Sequence, residues 1–161
     1  MDELLELLEN NARISLEDLA KVTGRSQKEV ASRIKKYEKK GIILKYKTLI
    51  NKNKLREEKD KVLALIEVKI TPQKDLGFDY IAERIYKFEE VKTCYLVSGT
   101  FDLLLVVEGK DIQTVANFVA EKLAPLNSVR GTTTHFLLKK YKEDGVIFEK
   151  TKGKRRLSIA Y

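Results

Sequence analysis

Hydrophobic residues recur at helical spacing in three short stretches at the start of the chain. The first, residues 2–10, carries four leucines near helical spacing, with acidic residues between them. A second begins at Ser15, whose hydroxyl can cap a helix, and it ends at Gly24. A third runs from Ser26 to Gly41, with a glutamate three residues after the serine as in a capping box. The pattern predicts three consecutive helices.

After the third helix the pattern becomes that of a strand and then of a polar segment. Apolar residues and lysines alternate over Ile42–Lys47, which predicts a strand. Capped helices joined at a glycine turn and followed by a strand are typical of a winged helix-turn-helix. Residues 51–60 are almost wholly polar. We therefore expect an N-terminal DNA-binding domain over residues 1–50 and a linker over residues 51–60.

The second half of the chain alternates between strand and helix patterns in the order β-α-β-β-α-β. These stretches are, in chain order, residues 61–70, 75–88, 91–97, 101–107, 111–123 and 129–141. The order is that of the split, ferredoxin-like pattern. The expected fold class is α+β, with the helix-turn-helix followed by a ferredoxin-like domain over residues 61–145. Residues 146–161 are a basic C-terminal tail, in which Leu157–Ile159 is a candidate short strand.

The positive charge of the chain is concentrated in the predicted N-terminal domain. The formal net charge is +8, yet residues 21–56 alone contain 13 basic and two acidic residues, whereas residues 61–145 contain 12 of each. A basic surface confined to one short region is the electrostatic footprint of a protein that binds a polyanion. Double-stranded DNA is the expected partner, and a solvated basic face without a partner is the alternative.

The start of the third helix and the predicted strand behind it carry the side chains expected at a DNA interface. In a helix-turn-helix the second helix of the motif lies in the major groove, where glutamine can pair with adenine and arginine with guanine, while serine and lysine reach phosphates or base edges. The alternative is a helical bundle that merely caps the second domain, which the local charge disfavours. The predicted DNA-binding residues are Arg25, Ser26, Gln27, Lys28, Ser32, Arg33, Lys36, Lys45 and Lys47.

Few residues offer catalytic or metal-binding chemistry. His135 is the only histidine and Cys94 the only cysteine, which disfavours a disulfide, a cysteine-based zinc site and a Ser-His-Asp set. Both lie within predicted strands, where we expect packed or interface residues. No apolar run could cross a bilayer, and the N-terminus lacks the pattern of a signal peptide. We expect a cytoplasmic protein that is not an enzyme, has no membrane partner and carries no metal or cofactor.

Two motifs, one in each predicted domain, resemble those of a known family of regulators. The first comprises Asn11-Ala12-Arg13-Ile14-Ser15, Leu19-Ala20, Ser26-x-x-x-Val30-x-x-Arg33-Ile34 and Glu38-Lys39-Lys40-Gly41-Ile42-Ile43. The second is Val91-x-x-x-Tyr95-x-Val97-Ser98-Gly99-Thr100-Phe101-Asp102, followed by Asp111-Ile112. Together they resemble the Lrp/AsnC family, the leucine-responsive or feast/famine regulators, across nearly the whole chain. Departures are Met1 where that family usually has Asp, Ala12 for Gly and Tyr37 for Leu.

The resemblance implies a sequence-specific DNA-binding transcriptional regulator that responds to a small effector, usually an amino acid, and controls genes of amino-acid metabolism. It also implies that the second domain pairs sheet to sheet into homodimers, which commonly assemble to octamers, with the effector near the hairpin turn at an interface between subunits. The predicted sheet independently favours a partner subunit. The two helices of the domain can cover only one face of the sheet, and a second subunit can cover the other.

A site for a free amino acid needs an acceptor for the ammonium and donors for the carboxylate. A glycine turn exposes backbone N–H groups, an aspartate can accept from an ammonium, and threonines supply hydroxyls. The predicted effector-binding residues are Ser98, Gly99, Thr100, Asp102, Thr133 and Thr134. From the residues alone, a plain hairpin turn and β-forming threonines fit slightly better. The resemblance shifts the balance to a ligand site.

Two other functions fit parts of the sequence. An architectural DNA-binding protein would use the second domain only to oligomerise, bind DNA broadly and ignore amino acids. An enzyme built on a ferredoxin-like domain would need a convergent cluster of titratable residues, which this sequence does not offer. A change of DNA binding on addition of one amino acid separates the leading prediction from the architectural one.

Overall fold

The structure is a computed structural model that describes residues 2–55, 61–72 and 77–148. The chain divides into two compact units at Ile50–Asn51. Each unit has its own hydrophobic core, so each positions its own candidate site.

The N-terminal unit consists of three helices around a small apolar core, as the hydrophobic pattern predicted. The helices are α1 (Glu3–Asn10), α2 (Leu16–Thr23) and α3 (Gln27–Lys39). Leu4 and Leu8 of α1, Leu19 of α2 and Val30 of α3 are buried together, so every helix contributes to one core. Burial of this stripe fixes which side of α3 remains open to solvent.

Local hydrogen bonds fix the turn that joins α2 to α3. Gly24 ends α2 in the left-handed region with φ 63°, a conformation that glycine adopts without steric cost. The Ser26 hydroxyl then accepts from the backbone N–H of Glu29 at 3.3 Å, and the Glu29 carboxylate accepts from the backbone N–H of Ser26 at 2.9 Å. This reciprocal capping box starts α3 at a defined residue and therefore sets the orientation of its first turn.

The strand predicted over Ile42–Lys47 is not formed. The chain beyond Gly41 leaves the helix through backbone hydrogen bonds to the Tyr37 carbonyl and continues to Ile50 without regular secondary structure. Alternation of apolar and polar residues marks a strand only where a second strand supplies hydrogen-bond partners, and this unit contains none among its described residues.

The second unit contains the predicted antiparallel sheet with its two helices, and the ferredoxin-like expectation is confirmed. The sheet order is β2-β3-β1-β4, with all neighbours antiparallel. The elements are β1 (Val62–Ile70), α4 (Asp79–Tyr86), β2 (Val91–Leu96), β3 (Leu103–Gly109), α5 (Ile112–Asn117) and β4 (Val129–Phe136), with a π-helical turn over Phe118–Leu123 continuing α5.

Side chains on one face of the sheet form the main core together with both helices. Alternate residues of β1 and β3, such as Ile66 and Leu105, are fully buried there against Ile81 and Ile85 of α4 and Val115 of α5. Cys94 packs on the same side, and burial raises the pKa of its thiol. The opposite face of the sheet has no helix of this unit against it among the described elements.

Two predicted elements are shorter than the pattern suggested. The last strand was expected to reach Tyr141 but ends at Phe136, because β4 pairs only with β1, whose pairing stops near Leu63. The helix expected over residues 75–88 begins at Asp79, and residues 73–76 lie outside the described part of the chain. Periodicity continues past the point at which the neighbouring strand ends, so it overestimates the length of β4, and before α4 the positive φ of Gly77 is incompatible with a right-handed helix.

A short hairpin, which the sequence reading missed, follows the main sheet. β5 (Lys142–Glu143) pairs with β6 (Val146–Ile147) through Asp144-Gly145, both of which have positive φ as a type I′ turn requires. The hairpin crosses the domain boundary predicted at residues 145/146, and the unit extends at least to Phe148, whose carbonyl accepts from the Asn51 side chain at 3.1 Å. The rest of the predicted tail, including Leu157–Ile159, lies outside the described residues, as do linker residues 56–60.

Candidate DNA-binding face and effector loop

The solvent-exposed side of α3 is defined by the residues that the core takes up on its other side. Val30 is buried and Ile34 and Tyr37 are partly buried on that core. At 100° per residue, the positions opposite this stripe are those of Lys28, Lys35 and Lys39, as helical geometry requires. All three lysines are exposed. α3 therefore presents a row of three ammonium groups along the middle of its free side.

Of the predicted DNA-binding residues on α3, Lys28 and Ser32 lie on this row and Lys36 lies beside it, whereas Gln27 lies nearer the buried stripe at the start of the helix. Gln27, Lys28, Ser32 and Lys36 are all exposed on α3. The sequence-based prediction omitted Lys35 and Lys39, although both lie closer to the middle of the exposed side than Lys36 does. A helical wheel centred on the buried stripe, rather than proximity to the helix start, would have found them.

The two residues at the start of the motif are partly engaged within the protein. The Ser26 hydroxyl donates to the Glu29 carboxylate at 2.7 Å as well as capping the helix. These hydrogen bonds from Ser26, with a smaller contribution from the charge of Arg25, lower the pKa of Glu29. Arg25 is half-buried, and its Nη1 has no hydrogen-bond partner within the described part of the chain. That nitrogen is itself buried, so it supplies no accessible donor, and a contact of Arg25 with DNA stays a prediction, whereas Ser26 acts first as a cap.

Arg33, also predicted to contact DNA, is held inside the unit. Its Nη2 forms an ion pair with the Asp2 carboxylate and donates to the Tyr37 hydroxyl at 3.1 Å. The Tyr37 hydroxyl in turn donates to the same Asp2 carboxylate. Neither partner was identified from sequence, because Asp2 is 31 residues from Arg33 along the chain. The structure therefore shows a structural contact for Arg33 and leaves its contact with DNA a prediction.

Lys45 and Lys47 lie on the irregular segment after α3 rather than on a strand. Both are exposed, and they flank Tyr46, whose hydroxyl donates to the Glu38 carboxylate of α3 at 3.0 Å. Partial burial, followed by this hydrogen bond, raises the pKa of Tyr46. The contact keeps this part of the segment beside α3, so both lysines remain available to phosphates next to a groove-bound helix.

The predicted effector loop joins β2 to β3. Ser98, Gly99 and Thr100 are exposed there. A Cβ at Gly99 would meet no atom within 4 Å, and the φ of Gly99 lies outside the left-handed region. The backbone conformation does not itself require glycine at this position.

Two hydrogen bonds of Asp102 connect this loop to the end of β1. One carboxylate oxygen accepts from the backbone N–H of Ile70 at 2.7 Å, and the Asp102 N–H donates to the Val68 carbonyl at 3.0 Å. The pairing register of β1 with β4 shifts at Lys69–Ile70, so the Asp102 side chain accepts from a donor beside that irregularity. The carboxylate predicted to accept an ammonium therefore already has a structural hydrogen bond.

Two substitutions separate the structural role of Asp102 from its charge. Asp102→Ala leaves the N–H of Ile70, a residue only 5% exposed, without its acceptor, and we expect a loss of about 1–3 kcal/mol in the free energy of unfolding. Asp102→Asn keeps an acceptor oxygen, so its loss should be less than half as large. Urea denaturation of both variants measures this difference. Equal losses would show that the hydrogen bond to Ile70 does not stabilise the loop.

The two predicted threonines do not face the same side of the sheet. Thr134 pairs with buried Ile66 and lies on the core side, whereas Thr133 pairs with Glu67 and lies on the opposite, outer side. Successive strand residues alternate between faces, so the two hydroxyls cannot converge on one ligand. Within this chain, the six predicted residues therefore do not form a single pocket.

The outer face of the sheet is apolar at its centre. Leu65 of β1 lies directly opposite Val106 of β3, and Leu63 and Leu104 lie diagonally beside this pair, opposite Glu108 and Glu67; all four apolar residues are only partly buried. Tyr95, on β2 next to Leu104, is 57% exposed. At the β4 side, His135 Nε2 lies 3.2 Å from the Glu67 carboxylate. No helix of this unit covers these side chains among the described elements.

Within residues 2–55, 61–72 and 77–148, no group of three or more His, Cys, Asp or Glu side chains is arranged to hold a metal ion. No helix in the same ranges is both long and apolar enough to span a membrane.

Comparison with known proteins matches both units. Residues 3–43 match a family model described as winged helix-turn-helix DNA-binding, and residues 63–147 match the Lrp/AsnC ligand binding domain. A helix-turn-helix with a basic recognition helix, followed by a ligand-binding α/β domain, defines a class of DNA-binding transcriptional regulators. The chain belongs to the Lrp/AsnC family within that class.

Individual relatives match over almost the whole chain. An uncharacterized HTH-type transcriptional regulator of Bacillus subtilis, YugG, is 45% identical across 98% of this chain and 95% of its own length. The leucine-responsive regulatory protein of Haemophilus influenzae is 30% identical across 88% and 83%. Among solved structures, the transcriptional regulator NMB0573 of Neisseria meningitidis, in complex with L-Met, is 26% identical with a TM-score of 0.68, covering 89% of this chain and 93% of that one.

Proposed function

We propose that this regulator binds specific DNA sequences through α3 and that an amino acid bound near the β2–β3 loop changes this binding, thereby controlling genes of amino-acid metabolism. The observation that carries the DNA part is the exposed lysine row of Lys28, Lys35 and Lys39 opposite the buried stripe of α3. Lysines in such a row neutralise phosphates, while Ser32 in the same row and Gln27 at the start of the helix offer hydrogen bonds to base edges.

The β2–β3 loop supports the amino-acid part of the proposal. Gly99 is not required by the backbone conformation, and the space around its Cα is open. The missing side chain exposes neighbouring N–H groups, which can bind a carboxylate as donors. Asp102 supplies the negative charge for an ammonium while keeping its hydrogen bond to Ile70, because a carboxylate accepts several hydrogen bonds. A related regulator has been solved as a complex with L-Met. We propose no cofactor beyond this effector.

A substitution at Gly99 tests the loop without disturbing the fold. Gly99→Val should change the free energy of unfolding by less than about 0.5 kcal/mol, because its side chain meets open space and no left-handed φ. The same side chain blocks access to the N–H groups, so the effect of the amino acid on DNA binding should disappear. Fluorescence anisotropy with and without effector measures this, and basal DNA binding serves as the internal control. An intact response would place the ligand elsewhere.

Ligand binding itself can be tested on the isolated full chain. We expect one of the common amino acids to raise the unfolding temperature, because a ligand at 100 times its Kd stabilises the folded state by about 2.7 kcal/mol. Asp102→Asn should raise the apparent Kd of the amino acid at least about tenfold, because the ammonium group of the ligand loses the negative charge that it contacts. If no amino acid shifts the unfolding temperature even at millimolar concentration, the effector part of the proposal fails while the DNA part stands.

We also propose that a second copy of this chain covers the outer face of the sheet and that the resulting dimers assemble further, up to octamers. The apolar centre formed by Leu63, Leu65, Leu104 and Val106 supports a self-complementary interface, because the same patch on two subunits can pack around a two-fold axis. An effector site between subunits would also bring together side chains that lie apart in one chain.

A further inference from the structure

Two side chains of α3 form hydrogen bonds to the carboxylate of Asp2, which lies at the start of α1. Asp2 caps α1, where one of its oxygens accepts from the Leu4 N–H at 3.1 Å. Its other oxygen accepts from Arg33 and from the Tyr37 hydroxyl, both on α3. The Asp2 side chain is 20% exposed and that of Arg33 is 39% exposed. A single acid thus links the first turn of α1 to the middle of the DNA-facing helix.

Arg33 lies on the edge of the basic side of α3 rather than within its core. Residues at i, i+3 and i+7 form one row along a helix, so Arg33 shares a row with Lys36 and Lys40. Both lysines are exposed. This row runs beside the central one of Lys28, Lys35 and Lys39. In a helix bound in the major groove, side chains at the flank of the helix lie next to the phosphates that line the groove. An unpaired guanidinium at position 33 would extend the basic surface by one charge.

Asp2 neutralises that charge. Among the described residues, Arg33 is the one basic residue of α3 that has an ion-pair partner. The hydrogen bond from Tyr37, then that from the Leu4 N–H, lowers the pKa of Asp2 to about 2, with a smaller contribution from Arg33. The folded-state pKa lies below that of a free Asp, so the stabilisation is present above pH 4 and is lost only as the pH falls towards 2. The pair is therefore ionised throughout the range in which DNA binding is measured.

We propose that Asp2 withholds Arg33 from DNA, so that this regulator makes one fewer phosphate contact per recognition helix than its basic residues would allow. The inference rests on the proposed binding of DNA by α3. Asp2 is a positioning residue that acts through Arg33, and its effect is to lower sequence-independent affinity. A phosphate contact carries no sequence information, so its absence lowers the affinity for every duplex by the same factor and increases the share of the binding free energy that depends on base contacts.

The decisive variant is Asp2→Asn, which retains an acceptor for the α1 cap but removes the charge that holds Arg33. For a random duplex we expect the salt dependence of log Kobs to steepen by about 0.9 per site and the affinity at 0.1 M salt to rise about eightfold, as one more phosphate contact requires. Glu3→Gln is the matched control, because it removes the same charge from the exposed neighbouring position without touching Arg33. Its salt slope should equal that of the wild type.

Two further variants assign the effect to Arg33. In Asp2→Asn/Arg33→Gln the additional slope and affinity should disappear. Arg33→Gln alone should leave the wild-type slope unchanged, whereas a phosphate contact by Arg33 in the wild type would reduce it by about 0.9. This second comparison remains informative if Asp2→Asn fails to fold, which thermal unfolding reports.

The outcomes separate this inference from the proposed function. The inference is overturned if Asp2→Asn behaves like Glu3→Gln, if the double variant keeps the added slope, or if Arg33→Gln alone flattens the slope. Absence of DNA binding by the wild type at low salt would instead overturn the proposed role of α3. A steeper slope in Asp2→Asn that Arg33→Gln reverses is the result that the geometry of the cluster predicts.

Discussion

Replacing Lys28, Lys35 and Lys39 together by alanine is expected to weaken DNA binding by about 500-fold at 0.1 M salt for each DNA-binding unit, as loss of three phosphate contacts requires. The salt slope of log Kobs should fall by about 2.7 per unit for the same reason. All three side chains are exposed, and alanine has the highest helix propensity, so the fold should be retained. Fluorescence anisotropy at several salt concentrations measures both quantities.

A control with the same loss of charge distinguishes a binding face from general attraction. Lys92, Lys110 and Lys142 are exposed residues of the second unit, and their replacement by alanine removes an equal number of positive charges. We expect this control to keep the wild-type slope. If it weakens binding as much as the α3 variant does, DNA is attracted by net charge and the lysine row is not the interface.

Substitution of the outer sheet face is expected to produce the second large effect. Leu65→Lys with Leu104→Lys should raise the dissociation constant of the dimer at least about 100-fold, because an ammonium at position 65, opposite Val106, would be buried in the apolar interface without a partner, which costs about 3 kcal/mol or more. Both leucines point away from the core that α4 and α5 cover, so the monomer should still fold. Size-exclusion chromatography with light scattering measures the change in mass.

The matched control is a lysine placed on an exposed helix position of the same unit. Ala116 of α5 is exposed, and Ala116→Lys should leave the assembly unchanged. A wild-type chain that is monomeric at all concentrations would contradict the proposed self-association, and an unchanged assembly in the double variant would show that another surface joins the subunits. Because an effector site between subunits depends on this contact, the monomeric variant should also lose its response to amino acids.

The sequence predicted the elements whose signals are local. The S-x-x-E box at Ser26 and Glu29 and the glycine at position 24 specify the helix-turn-helix through hydrogen bonds between near neighbours, and the structure contains those hydrogen bonds. The β-α-β-β-α-β order is likewise encoded in periodicity and determines the sheet topology through standard connection rules. Local chemistry of this kind can be identified without knowing what lies opposite in space.

Predictions that depended on tertiary partners were less accurate. The strand over Ile42–Lys47 has no second strand to pair with among the described residues. The Asp144-Gly145 turn is a strong hairpin signal that was read as part of a tail boundary. The first error arose from the missing pairing partner, whereas the second was an unrecognised local turn signal.

The accuracy of the site predictions likewise depended on whether the signal was local or tertiary. Exposed lysines opposite a buried stripe follow from helical geometry alone, so Lys35 and Lys39 could have been predicted. The partner of Arg33 could not, because the contact with Asp2 depends on how α1 packs against α3. Thr133 and Thr134 were grouped by adjacency in sequence, although adjacent strand residues point to opposite faces.

Charge is divided between the two units in a way that fits separate tasks. The stretch of residues 21–56 carries a large excess of basic residues, while residues 61–145 carry equal numbers of both signs. A basic unit binds a polyanion, whereas a neutral unit with an apolar sheet face can associate with itself without repulsion.

The most direct test of this account is fluorescence anisotropy of the full chain with a duplex from upstream of its own coding region and with a shuffled duplex, each with and without every common amino acid. We expect the native duplex to bind on the order of 10³ times more tightly, as specific sites generally do, and one amino acid to change that binding. Equal affinity for both duplexes and no effect of any amino acid would contradict the account and indicate an architectural DNA-binding protein.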